Sequence, residues 1–286
     1  MNYLHSYHAG NMADVMKHAV LLLLIRALQE KEGPLTLVDT HAGRGLYDLE
    51  SMEAGKTMEF DSGISRVWAS QEPLLDDYRQ LVAAFNPRGQ QRYYPGSPAI
   101  LAHVARLQDF LILNEYHPDE AAALRGIFAK DKQVQVHERD GYELWNAVIP
   151  PATPRGLVFV DPPYESQDEW QWITDTLKAA HPKWSHGVRA IWYPITRRSS
   201  LWKWEQALRG SGIPKMLQVE HVLYENERAD AFNGSGMFIV NPPYKFVQEV
   251  SALLEAIRRA VKAPDHDGTI KIEWLTPEST GAYAIA

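Results

Sequence analysis

An α/β fold on a mostly parallel sheet of seven strands is predicted by three observations. Seven short runs rich in β-branched residues recur along the 286 residues, most are continuous apolar runs instead of strictly alternating ones, and helical stretches stand between them. Continuous apolar runs indicate strands covered by helices on both faces, and strand alternating with helix is the pattern of a parallel sheet. The runs occupy residues 35–39, 110–115, 134–138, 157–161, 188–193, 216–224 and 237–241, and helical candidates begin near Asn11, Pro98, Glu120 and Glu249.

The chain is expected to be one domain, 1–286, with a helical insertion over 48–94, where no strand is evident but residues 64–70 and 73–85 have helical patterning. The insertion returns through Pro95-Gly96-Ser97-Pro98, in which Ser97 and Pro98 read as N-cap and first-turn residue of the next helix. No internal repeat is evident apart from two similar strand ends, Asp161-Pro-Pro-Tyr and Asn241-Pro-Pro-Tyr.

Composition narrows the class of function. An apolar fraction of 45% with 23% charged residues is that of a soluble globular protein. The sequence contains no cysteine, which excludes disulfides and thiolate metal sites and agrees with a cytoplasmic location. The apolar run from Ala19 is stopped by Arg26, too early to span a bilayer, so it reads as a buried helix and no membrane association is expected. A net charge of −7 argues against indiscriminate nucleic-acid binding. One strip differs: Lys183, Arg189, Arg197, Arg198, Lys203, Arg209 and Lys215 face a single acid, Glu205. It reads either as a solvated helical face or as the place where one anionic partner docks.

Ligands of open α/β sheets sit beyond the carboxyl ends of the strands. The first strand runs into Asp39-THAGRG, where Gly43 and Gly45 permit a tight turn close to a ligand. Position 48 is Asp, so the third glycine of a dinucleotide fingerprint is missing and pyrophosphate binding is disfavoured. Glu115 ends the second strand, where an acid can hold ribose hydroxyls; Asp140-Gly141 ends the third, placed for an adenine edge. Each acid alone would read as a helix cap. His5, His8 and His18 have no carboxylate at ligand spacing, so no metal is expected.

Asp161-Pro-Pro-Tyr suits chemistry on an exocyclic amine. The adenine amino group is a poor nucleophile, because its lone pair is delocalised into the ring. A side-chain acceptor and a backbone carbonyl can take its two hydrogen bonds and free the nitrogen to become tetrahedral. Proline fixes φ and offers a carbonyl without a competing N–H. Tyr164 would stack on the unpaired base, and Asp161 could receive the released proton. Asn241 ends a strand expected to run antiparallel, so its tetrapeptide should point to the opposite edge and act only as a strand stop.

Glycine turn, ribose acid, adenine acid and Asp-Pro-Pro-Tyr, in that order, resemble the class I S-adenosylmethionine-dependent methyltransferases, whose sheet is Rossmann-like. The segment from Tyr3 to His18, with Asp39-Thr-His-Ala-Gly, Tyr93-Tyr-Pro-Gly-Ser-Pro, Trp192-Tyr-Pro and Asn241-Pro-Pro, resembles the bacterial large-subunit ribosomal RNA methyltransferase J family from Tyr3 to about Tyr244. The resemblance implies N6 methylation of one adenine in protein-free 23S rRNA, and the chain is expected to act as a monomer. It also implies S-adenosylmethionine contacts by His18, His41, Ser97, Glu115, Asp140, Gly141 and Asp161, with Asp161 as proton acceptor and Tyr3 on the RNA. The sequence departs from the family pattern at Leu4, where a basic residue is familiar, and at Met12, where His is expected. The segment after Pro264 matches least. DNA adenine and protein glutamine methyltransferases use a similar tetrapeptide, and a non-catalytic nucleic-acid-binding protein could keep the same fold.

Overall fold

The computed structural model describes residues 4–224, 228, 232–262 and 267–278. Tyr3, expected to touch RNA, lies outside the described residues.

All seven predicted strands form, and they share one sheet with an eighth. In chain order the sheet strands are β1 (Thr36–Asp39), β4 (Phe110–Asn114), β5 (Val134–His137), β6 (Gly156–Val160), β7 (Val188–Ile195), β8 (Met216–Val222), β9 (Gly234–Val240) and β10 (Thr269–Thr276). Two further strands, β2 (Leu46–Asp48) and β3 (Tyr93–Pro95), form a separate antiparallel pair at the neck of the insertion. The sheet order is β10-β8-β9-β7-β6-β1-β4-β5. From β7 to β5 neighbours are parallel, whereas β9 is antiparallel to both β7 and β8, and β10 to β8.

The eighth strand corrects the expected seven. Its sequence, Thr-Ile-Lys-Ile-Glu-Trp-Leu-Thr, alternates as a half-covered edge strand does, and most of it is partly exposed. A search for unbroken apolar runs passes over such a strand.

The central strands sort their side chains by the two-residue period. Leu157 and Phe159 of β6 join one core cluster, and Val158 and Val160 the other. The first cluster contains α1 (Met12–Gln29), α5 (Ser97–Val104) and α10 (Phe246–Val261); the second contains α7 (Gly141–Ala147), α8 (Glu169–Ala180) and α9 (Arg198–Arg209). The apolar run after Ala19 is buried on nearly all sides in α1, between the sheet, α5 and α10. Among the described residues no helix is long and apolar enough to cross a membrane. The insertion carries α2 (Met52–Thr57), α3 (Ile64–Ala69) and α4 (Asp76–Ala84). Helix α6 (Pro118–Phe128) links β4 to β5.

This topology separates the two Pro-Pro-Tyr ends. The parallel strands β1, β4, β6 and β7 end on one edge of the sheet, and β9 ends on the other. At that far edge the Asn241 amide donates to the carbonyls of Ser185 and Gly187, at 2.6 and 3.0 Å. Asn241 adopts a left-handed φ of 55° and closes a loop there. Asp161 follows β6 at the edge where ligands bind.

Candidate active site

A cleft of about 480 Å³ opens beyond the ends of β1, β4, β6 and β7. His18, His41, Ser97, Glu115 and Asp161, predicted from five separate segments, all line it. The volume lies within the range of about 300–1,000 Å³ usual for small-molecule sites.

The turn after β1 makes its floor. Gly43 has a φ of +62°, and a Cβ there would lie 2.3 Å from the Tyr47 hydroxyl, so only glycine fits. The freed Gly43 N–H donates to Glu115 Oε2 at 2.7 Å, and the His117 N–H donates to Oε1 at 2.7 Å. Each carboxylate oxygen keeps a lone pair for a ligand hydroxyl. Burial pushes the Glu115 carboxyl above its usual range against these two bonds. Asp39 lies beneath the floor with no exposure, and one of its oxygens has no hydrogen-bond partner. Its carboxyl is pushed up to about 7 by burial, opposed by the Ser97 hydroxyl and assisted by the charges of Asp161 and Glu115.

Ser97 is not the cap of α5, as its sequence suggests; Gly96 takes that position. Pro98 still falls in the first turn, so the boundary moves by one residue. The shift leaves the Ser97 hydroxyl beside Asp39.

The wall opposite the sheet is the start of α1. Asn11 caps the helix by accepting from the Asp14 N–H at 2.9 Å. Lys17, 4% exposed, lies 2.8 Å from Asp14 Oδ1 and 2.6 Å from Asp161 Oδ2. It also sits 5.2 Å from the centroid of the Trp192 ring. His5 Nε2 and the Gly10 N–H serve the other Asp14 oxygen, at 2.9 and 2.7 Å. Burial pushes the Asp14 carboxyl up, but His5 and Lys17 outweigh it and hold it well below the usual range. His18 is fully buried, with Nδ1 2.6 Å from the Tyr94 hydroxyl, which meets that of Tyr78 at 2.8 Å. Burial lowers His18 to about 3 and His41 to about 4, so both are neutral near pH 7.

Asp140, Gly141 and Tyr164 stand just outside the lining. Asp140 Oδ1 caps α7, accepting from the N–H groups of Tyr142 and Glu143 at 2.9 Å each. Gly141 backs His41 so closely that a Cβ would come within 2.6 Å of Nε2, so it acts on the cleft through that ring. The Tyr164 ring packs on Trp170 and Trp192, with centroids 4.6 and 5.9 Å away, and its hydroxyl donates to the Trp192 carbonyl at 2.5 Å. That anchor braces the Pro162-Pro163 turn against β7.

Sequence reasoning assigned no site role to Lys17, Asp14, Asp39 or Glu59. Asp14 and Lys17 stand three apart, a readable helical pair, but their partner Asp161 lies 144 residues further on. The cationic strip does not form one face. Arg189 is buried and donates to the Gly187 and Trp184 carbonyls. Arg198 meets buried Glu220 at 2.8 Å, Arg209 meets Glu273 at 3.2 Å and Lys215 meets Glu278 at 3.0 Å. Arg197 and Lys203 are exposed. Among the described residues no group of three or more His, Asp and Glu is arranged to hold a metal.

The cleft fits S-adenosylmethionine. Of the carboxylates that line it, Asp14 and Asp161 meet Lys17, Glu59 meets His8 and Glu120 meets Arg44. Glu115, held by two backbone N–H groups, has no cationic side chain on it among the described residues and suits the hydroxyls of a ligand that carries a sulfonium and an ammonium.

A family model described as "Ribosomal RNA large subunit methyltransferase D, RlmJ" matches residues 32–276. The chain is 38% identical to the ribosomal RNA large subunit methyltransferase J of Escherichia coli K12 over 281 residues, 97% of this chain and all of that one. It is 36% identical to the Haemophilus influenzae protein of the same name, again across 97% of this chain and all of the relative. A crystal structure of Legionella pneumophila protein LPL1258 superposes with a TM-score of 0.86 at 35% identity, covering 93% of this chain and 98% of that one.

Proposed function

Since the chain belongs to the ribosomal RNA large subunit methyltransferase J family, we propose that it methylates N6 of one adenine in 23S rRNA, acting as a monomer on protein-free RNA. The observation that carries the proposal is the Lys17–Asp161 contact at the mouth of an acidic cleft, beside a Pro-Pro turn.

S-adenosylmethionine, when bound, supplies an electrophilic methyl group on a sulfonium. Glu115 would hold its ribose hydroxyls, and His18, His41 and Ser97 would contact it along the floor and the α1 wall. Asp140 and Gly141 would border the adenine end, Asp140 through the oxygen not used in capping α7. Lys17 engages Asp161 Oδ2, which leaves Oδ1 to accept from the amino group of the target base. The carbonyl of the Pro162-Pro163 turn takes the second N–H. With both hydrogens held, the nitrogen lone pair is directed into the cleft, and positioning supplies most of the rate. Asp161 then receives the proton. Tyr164, whose ring packs on Trp170 and Trp192, would back the unpaired base from the turn. Tyr3 would add an RNA contact.

The test is labelled methyl transfer to separate pools of protein-free 23S rRNA, DNA and protein, followed by digestion to nucleosides. Label is expected in N6-methyladenosine from rRNA. Asp161→Ala should lower single-turnover transfer by about 100-fold or more, while Asn241→Ala, at the far edge, should keep parental turnover per folded molecule. Label in the DNA pool alone would make the DNA enzyme the correct reading, and a folded but inactive Asn241→Ala would mean that the wrong tetrapeptide has been assigned.

A further inference from the structure

The N-terminal wall of the cleft is held by the inserted helices as well as by the sheet. Glu59, between α2 and α3, uses both carboxylate oxygens on it: His8 Nδ1 lies 2.9 Å from Oε1, and the Asn11 amide donates to Oε2 at 2.9 Å. Asn11 is the residue whose other side-chain atom caps α1. A backbone contact lies alongside. The Ile64 N–H donates to the Gly10 carbonyl at 2.8 Å. A Cβ on Gly63 would lie 2.2 Å from that carbonyl oxygen, so the two chains touch with no room for a side chain between them. The Thr57 hydroxyl donates to the Tyr7 carbonyl, and Lys56 lies 5.6 Å from the Tyr7 ring centroid. The insertion is fastened elsewhere by Arg26 on Asp77 and Arg259 on Glu72, so its cleft end is carried on a docked body.

Charge supports the geometry. The Glu59 hydrogen bond raises His8 above its usual value against the cost of burial. Burial pushes Glu59 up, but its bonds from His8 and Asn11 outweigh that and hold it below the usual range. A charge-assisted contact in a half-buried site is stronger than a neutral one.

We propose that Glu59 is a positioning residue for methyl transfer: it fixes the N-terminal segment across the cleft and, through the Asn11 cap, sets the register at which α1 delivers Asp14 and Lys17 to Asp161. The inserted helices then act as a splint for the reacting carboxylate. A small displacement at the start of α1 moves the Lys17 ammonium off Asp161, and misplacement of about 1 Å can cost about 100-fold in rate. The inference rests on the methyl-transfer reading above.

The experiment compares Glu59→Ala, Glu59→Gln and Asp77→Ala with the parent. Amide hydrogen exchange is followed in the ligand-free protein, and single-turnover transfer to protein-free 23S rRNA is measured alongside. Glu59→Ala is expected to speed exchange over residues 8–17 by about tenfold, leave α4 protected, and lower the transfer rate by about tenfold with little change in KM for the cofactor. Glu59→Gln keeps an acceptor for Asn11 and should recover part of both. Asp77→Ala loosens the insertion away from the cleft and should leave the rate near the parent's. Parental exchange over 8–17 in Glu59→Ala would overturn the proposal, as would rate losses in Glu59→Ala and Asp77→Ala that track melting temperature equally. If the parent itself transfers no methyl group, the functional reading fails, and the exchange pattern decides whether Glu59 holds the segment.

Discussion

Replacing Lys17 with Met tests the electrostatic arrangement of the cleft directly. The change keeps much of the side-chain volume and removes one ammonium that serves two carboxylates, Asp14 at 1% and Asp161 at 12% side-chain exposure. Removing one partner of a buried pair costs about 3–5 kcal/mol. His5 and the Gly10 N–H remain on Asp14, so the lower end, about 3 kcal/mol, is expected. The loss should depend on pH with a definite sign. The folded Asp14 carboxyl lies well below its unfolded value of 3.8. Its contribution is therefore present above that value and fades as pH falls through the folded one. Lys17 supplies part of that depression. The gap in stability between parent and variant should be full near pH 7 and narrow in acid. Urea unfolding of both proteins near pH 7 and near pH 3 measures it. Equal midpoints near pH 7, or a gap that stays constant into acid, would show that Lys17 is not the counter-charge of these carboxylates.

Other perturbations give separate readings. Glu115→Ala should weaken S-adenosylmethionine binding by about 1.5–3 kcal/mol, the loss of a charged hydrogen bond, with calorimetry as the check; unchanged affinity would remove Glu115 from the ribose site. Arg198→Ala should destabilise the fold by about 1–3 kcal/mol, because among the described residues buried Glu220 then keeps the Tyr193 and Gln218 donors alone. The salt dependence of RNA binding should stay unchanged, and a flatter slope in filter binding would return Arg198 to the RNA. For Asp39, pushed up to about 7, the folded state holds a proton that the unfolded state releases near 3.8. Its contribution thus falls by about 1.4 kcal/mol per pH unit between those values. Asp39→Asn should therefore gain on the parent as pH rises from about 5 to 8 in thermal melts, and parallel melting curves would contradict the buried, protonated Asp39.

The sequence alone determined the class of sheet, seven of its eight strands and the edge that carries the site, because the central strands, buried on both faces, are apolar runs whose ends carry the polar groups. It also singled out His18, His41, Ser97, Glu115 and Asp161, whose side chains share one cleft. The half-exposed strand β10 escaped because its alternating pattern is the weaker signal, and Ser97 was placed one residue out because a serine before a proline fits either position at a helix start. Tertiary structure alone decided which charges meet. Arg198 looked like part of a cationic face until Glu220 of the following strand β8 was brought beneath it, and Lys17 became the partner of Asp161 only when α1 was packed across the ends of the strands. Periodicity and turn chemistry are local and can be read within a dozen residues. Ion pairs between residues 22 or 144 positions apart depend on how helices pack on the sheet, and a single sequence carries no local record of that.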